Sequence, residues 1–385
     1  MTPDPQVDAM DSEAARDQGA NVQNEAAGES LLVGSRHAAG LVTLARPQRG
    51  NAISQPMYAA LAAAYPRFSR DPMIYAVVQR AAQPGVFCAG TDLAEIASIA
   101  ATDPDRLAGA VGAPLILSWR QECFTKPTVS LIDGAVEGSG LGLCVFGTHR
   151  IAGENFSFSC PETAYGLIPG AGICHVLARM PSSIGVYLAL TGRAIGRADA
   201  YRLGIATHCV DASHFDAIER HLADADPVDA LTDGLHRDPG PGELPGREAV
   251  IARCFSAGTL EEIAARLDAE TGVDAGWARE TAAVLRSRSL LALKGALGML
   301  KRARSLDLRS ALILEYQVAR RIIGRSDFRD RVANWDVTNE RCEIRNRLEV
   351  KAFSDVPDDN VLALFAEEPG NSLELPQRTI MQATA

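Results

Sequence analysis

From Gly40 onward the chain alternates short apolar runs with Ala-rich amphipathic stretches. "GLVTLARP" (Gly40 to Pro47) predicts a strand closed by Arg-Pro, because the residue before a proline is biased towards extended backbone. "SQPMYAALAAAYPRF" predicts a helix with Ser54 as its N-cap. "IYAVVQRA" (Ile74 to Ala81) is a β-branched run of buried-strand length, followed by the turn "QPG". A helix is expected from about Ala108 to Cys123, a strand at "TVSLIDG", a helix at "LGLCVFG" and two short strands in "HRIAGENFSFSCPE". Strands alternating with helices imply an α/β fold with crossover connections. The pattern changes at "DADPVDALTDGLHRDPGPGELPG" (Asp224 to Gly246), whose Pro, Gly and Asp content predicts a linker. Beyond it the period is helical throughout. In "LRSALILEYQVARRII" the residues Leu308, Leu312, Tyr316 and Ala319 share one apolar face.

These shifts divide the chain into a tail over 1–30, a core over 31–223, a linker over 224–246, a helical region over 247–350 and an unassigned tail over 351–385. The net charge of −10 argues against nucleic-acid partners, since neutralising phosphates needs a basic surface. Eight cysteines are dispersed, with no CxxC pair and no histidine at zinc-ligand spacing. They are expected to be reduced core thiols, with no metal site, in a cytoplasmic protein. No run reaches the ~20 apolar residues of a membrane span, so no membrane partner is expected. The first 30 residues are acidic, lack an apolar signal core and predict a disordered tail.

The stretch "VSLIDGAVEGSGLGLCVFG" (Val129 to Gly147) runs from a strand into glycines at every second position. A dinucleotide fingerprint would need a glycine where Leu143 stands, and no Lys-Ser/Thr follows for a P-loop. There remains a carbonyl oxygen held by bare backbone N–H groups, or simply close helix packing. An oxyanion site needs two donors. "FCAGTDL" (Phe87 to Leu93) supplies the second strand-to-glycine-to-helix passage.

Taken with "FSCPETAYGLIPGAGICHVLARM", these segments resemble, in order and spacing, the signatures of the crotonase (enoyl-CoA hydratase/isomerase) superfamily. Within it they are most similar to the 3-hydroxyisobutyryl-CoA hydrolase branch, which shares "GLGLCVFG", "PETAYGLIP" and the helical extension. The resemblance implies a ββα spiral core with a helical C-terminal region, acyl-CoA as ligand, no cofactor beyond the coenzyme A of the substrate, and a homo-oligomer. It implies that the backbone N–H groups of Thr91 and Ser139 hold the thioester oxygen. Glu162 matches the family's catalytic carboxylate, as nucleophile or base; by itself Pro161-Glu162 would simply open a helical turn. Gly142 stands where hydratases carry a glutamate, and Gly170 where the hydrolases carry an aspartate, at a substrate-binding position. Glu122 is the only acid near the segment before Lys126-Pro127, at the wrong spacing. Arg46 and Arg49 match positions near the CoA nucleotide, and Asp92 a helix start where capping suffices. His175 and His208 fall in apolar runs and read as structural. One carboxylate is therefore expected in the site. Three activities are compatible with that: thioester hydrolysis, single-carboxylate isomerisation or atypical hydration, and acyl-CoA binding without turnover.

Overall fold

The computed structural model describes residues 23–26, 29–333, 353–366 and 372–383. Among the described residues eleven strands form two sheets: β1 (Gln23–Ala26), β2 (Leu31–Arg36), β3 (Ala39–Leu44), β4 (Ala76–Ala81), β5 (Gly85–Cys88), β6 (Thr128–Ile132), β7 (Gly134–Glu137), β8 (His149–Ala152), β9 (Ser157–Ser159), β10 (Ile195–Gly196) and β11 (His208–Cys209). The larger sheet runs β1-β2-β3-β4-β6-β8-β11 and the smaller β10-β9-β7-β5. Successive strands alternate between them from β4 to β9, and the pairs β4–β6, β6–β8, β5–β7 and β7–β9 are parallel. Each turn of the chain thus adds one strand to each sheet, which is the spiral that the family resemblance implies.

The large sheet is covered on both faces, and the pleat sorts its residues. Leu41, Val78, Val129 and Leu131 face one core with Phe215, Ile218 and Leu222. Val42, Leu44, Val77 and Ile132 face the main core, which continues into the C-terminal helices. This second layer corrects the linker expected over 224–246. The helix Val228–Leu235 lies within it, with Val228, Thr232 and Leu235 buried under the sheet. Most of the stretch's Pro and Gly residues follow that helix, with Pro227 at its N-cap and Gly234 inside it.

Other expectations shift at the ends of elements. Residues 23–26 lie in a strand antiparallel to β2, where a tail was expected. "LGLCVFG" is no α-helix: a 3-10 turn covers Gly138–Leu143 and leads into non-helical turns. Pro114 sits inside the helix Pro104–Cys123, which begins earlier than expected, at an Asp103 cap. The stretch "DFRDRVANWDVTNERCEIRNRLEVKAF" (Asp327 to Phe353), which stands where the resembled family has a glycine-containing one, lies mostly outside the described residues. Beyond it, Leu364, Leu373 and Leu375 are buried, and Trp119 Nε1 donates to the Pro376 carbonyl at 2.8 Å. The seven cysteines among the described residues are all buried, unpaired thiols. No described helix is long and apolar enough to cross a membrane.

Candidate active site

The two glycine passages meet end to end. After β5, Gly90 takes φ 89°, and a Cβ there would stand 2.9 Å from Ser139 Oγ. Asp92 then caps the helix Leu93–Thr102 by accepting from the Glu95 N–H at 3.2 Å, the capping role expected of it. After β7, Gly138 takes φ 46°, and a Cβ on it would fall 2.0 Å from Glu162 Oε1. Ser139 is the second residue of the 3-10 turn, so its N–H has no acceptor inside that turn. Glycine is required at 138 because a carboxylate occupies the space its side chain would fill.

Thr91 and Ser139 are joined by a short chain of hydrogen bonds. The Thr91 N–H donates to Ser139 Oγ at 2.8 Å, Thr91 Oγ1 lies 3.0 Å from the same hydroxyl, and Tyr58 OH lies 2.8 Å from Thr91 Oγ1. The serine hydroxyl therefore stands where a carbonyl oxygen facing the Thr91 N–H would stand.

Glu162 follows β9 in the 3-10 turn Pro161–Ala164, with proline at the first position and the acid in the first turn. Its side chain is buried, and neither oxygen makes a hydrogen bond of normal geometry. Burial raises its pKa from 4.5 to about 8; its own N–H and that of Gly170 lie close enough to offset part of this. An unpaired buried carboxyl is costly to keep and uncommon in structures. It is also a strong base when ionised, because desolvation outweighs what the nearby N–H groups offer its charge.

Gly170, Ala171 and Gly172 form a kinked segment, with φ 57° at Ala171 and 81° at Gly172. The expectation of one carboxylate is corrected here. Glu315, from the helix Leu308–Ile323, accepts the Gly172 N–H at 3.1 and 3.3 Å. It is buried, and desolvation lifts its pKa to about 8, against the lowering effect of the Gly172 and Ala171 N–H groups and with the Glu162 charge adding to the rise. The helix can carry this acid inwards because Leu308, Leu312, Tyr316, Val318, Ile322 and Ile323 are buried with it. At about 1.5–3 kcal/mol each, those side chains outweigh one buried carboxyl. The signal was present in the sequence: Glu315 lies seven residues after Leu308 and three after Leu312, inside the apolar stripe. A charge in such a stripe marks either a paired group or a site.

One cleft gathers these groups. Its walls include Thr91, Ser139, Glu162, Gly170 and Glu315, among the apolar side chains of Leu93, Ile96, Val111, Leu115, Leu167, Ile168 and Ile323. Its space, open mouth included, is about 670 Å3. The missing family acids are explained locally. A side chain at Gly142 would strike Ala171, 2.4 Å from its Cβ, so no glutamate fits there. A Cβ at Gly170 would have 3.7 Å to Glu315 Oε1, so the volume of an absent aspartate borders another carboxylate.

Arg46 and Arg49 do not line the cleft. Arg46 instead anchors the helix start beside Thr91, where its Nη1 bonds Asp92 Oδ2 at 2.8 Å and the Ala52 carbonyl at 2.9 Å. Arg49 is exposed. Glu122 lies outside the cleft and pairs with Arg378. His208 bonds Asp233 at 3.0 Å, and His175 is half-buried with its pKa pushed down to about 4 by desolvation; neither reaches the cleft. Among the described residues no cluster of His, Cys, Asp and Glu has the arrangement of a metal site.

The sequence resembles known proteins over nearly its whole length. It is 31% identical over 363 residues to 3-hydroxyisobutyryl-CoA hydrolase 1 of Arabidopsis thaliana, covering 92% of this chain and 96% of that protein. Among solved structures, an enoyl-CoA hydratase from Rhodobacter sphaeroides 2.4.1 superposes with a TM-score of 0.79 at 34% identity, over 90% of this chain and all of the other. A carnitinyl-CoA dehydratase from Mycobacterium thermoresistibile superposes with a TM-score of 0.83 at 28% identity, over 90% of this chain and 99% of its own. The enoyl-CoA hydratase/isomerase family model matches residues 39–365, the span that holds both sheets' spiral, the cleft and the C-terminal helices. The chain belongs to the enoyl-CoA hydratase/isomerase family.

Proposed function

We propose that this protein hydrolyses the thioester of a short acyl-CoA of the 3-hydroxyisobutyryl-CoA type. The observation that carries this reading is Glu162: a buried carboxyl with both oxygens unbonded, in an apolar cleft, beside two backbone donors suited to a carbonyl oxygen. In this reading the thioester oxygen displaces the Ser139 hydroxyl and sits between the N–H groups of Thr91 and Ser139, where negative charge developing on it is stabilised. Ionised Glu162 then attacks the carbonyl carbon, or takes a proton from a water that does. The C–S bond breaks, the sulfur leaves with the bond pair and acquires a proton, and water completes the free acid. The name of the Arabidopsis relative supports the hydrolase and its acyl group.

A second reading, hydration or isomerisation of an enoyl-CoA, is favoured by Glu315. Two carboxylates can divide the work of positioning water and managing the α-carbon proton. A thiol-trapping assay with 3-hydroxyisobutyryl-CoA, run on the native protein and on Glu162→Gln, separates the two. Release of free CoA that falls at least ~100-fold in the variant is expected. An altered acyl chain still joined to CoA, with no thiol released, would replace hydrolysis by the second reading.

A further inference from the structure

The helix Leu308–Ile323 brings into the cleft a polar group that thioester cleavage by Glu162 does not use. Glu315 reaches the cleft from a part of the chain 143 residues away from the backbone N–H that holds it. That single backbone donor is its only hydrogen bond to the protein with normal geometry among the described residues, shared between two oxygens at 3.1 and 3.3 Å. A carboxyl has more hydrogen-bonding capacity than one N–H can fill. The Ala171 N–H also lies close enough to lower its pKa, and two N–H groups still leave a carboxyl with capacity unfilled.

Its position relative to the carbonyl site is defined by one point. The place of a Cβ on Gly170 lies 3.7 Å from Glu315 Oε1 and 4.0 Å from the Ser139 Cβ. Because Gly170 has no side chain, that corner is open. An acyl group whose thioester oxygen sits at Ser139 extends past it, and a polar substituent two or three bonds from the carbonyl comes within reach of the Glu315 carboxyl.

We infer that Glu315 is the specificity-determining residue of this site, hydrogen-bonding a hydroxyl on the acyl chain and so selecting hydroxyacyl thioesters over plain alkyl ones. This rests on the placement of the thioester oxygen between Thr91 and Ser139 stated above. The physical reason is an asymmetry. A hydroxyl completes the bonding of a buried carboxyl, whereas a methyl in its place buries that carboxyl with capacity unfilled and shuts water out. Selection therefore comes as much from rejecting the alkyl chain as from holding the hydroxyl.

The test compares 3-hydroxyisobutyryl-CoA with isobutyryl-CoA, which differ by that hydroxyl alone. Affinities are measured by titration calorimetry on the Glu162→Gln protein, where turnover does not interfere, and kcat/KM for CoA release on the native protein. The hydroxylated ligand is expected to bind about 10- to 100-fold more tightly. Adding Glu315→Leu should reduce that preference to within about threefold, chiefly by weakening the hydroxylated ligand. Glu315→Gln, which keeps an acceptor for Gly172 and adds a donor, should retain most of it. A preference below about threefold in the protein with Glu315 intact overturns the inference without any need for the leucine variant. So does a preference that survives Glu315→Leu. Discrimination in binding with no CoA release would keep the inference and refute hydrolysis; CoA release without discrimination would do the reverse.

Discussion

Replacing Glu162 by glutamine should change how the stability of the protein depends on pH, in a direction fixed by its burial. The folded state holds this carboxyl at about 8, against 4.5 for the free group. Between those values the folded chain keeps a proton that the unfolded chain has released. Stability therefore falls as pH rises, by up to about 1.4 kcal/mol per pH unit. Integrated from about pH 5 to pH 8, Glu162 costs the native protein about 3–4 kcal/mol that the glutamine variant does not lose. The effect levels off above that range, where both states are ionised. Glu315 titrates in both proteins, and losing the Glu162 charge that adds to its rise can only enlarge the difference. The amide is close in shape to the protonated acid, so any constant offset between the two reports packing, and only the slope reports ionisation. Urea unfolding at pH 5, 6, 7 and 8 measures it. At an m-value of about 3 kcal/mol/M, the variant's midpoint should gain roughly 1 M over the native protein across that range. A difference that stays flat with pH would mean that the carboxyl is solvated or paired, and would remove the basis for treating it as a strong base.

Ser139→Ala removes the hydroxyl that occupies the Thr91 N–H at 2.8 Å and leaves both backbone donors in place. Losing one internal competitor worth about 0.5–1.5 kcal/mol should tighten acyl-CoA binding by up to about tenfold in calorimetry, and unchanged or weaker binding would show that the hydroxyl helps rather than competes. Gly138→Ala sets a methyl 2.0 Å from Glu162 Oε1 on a backbone at φ 46°. The left-handed conformation costs about 1–2 kcal/mol, a shift of a few degrees in thermal midpoint, while displacement of the carboxyl should lower CoA release at least ~100-fold. Loss of stability with activity intact would contradict this.

Much of the core could be read from local pattern. The strand at "TVSLIDG", the helix begun at Ser54 and the apolar stripe of Leu308, Leu312 and Tyr316 reflect periodicities that any chain must obey when one face is buried. Composition was a poorer guide where burial overrode it. The Asp- and Gly-bearing stretch Val228–Leu235 is a helix because Val228 and Leu235 cover the outer face of the large sheet, which its local sequence does not reveal. Likewise, the glycines after β7 suggested a helix start, and they form a 3-10 turn that Glu162 and Ala171 approach too closely for side chains at Gly138 and Gly142.

The two glycine passages and the Pro-Glu turn were legible in order and kind, since each is a short segment whose backbone geometry its own residues dictate. Their neighbours in space were not. The Thr91 N–H faces a serine hydroxyl from 48 residues away, Arg46 is drawn from the cleft to Asp92, and Glu315 supplies a second carboxyl beside Gly170. A helical period says which face of a helix is buried but not against which surface. The partner of Glu315 is a backbone N–H across the core, and only closure of the C-terminal helices over the spiral brings the two together.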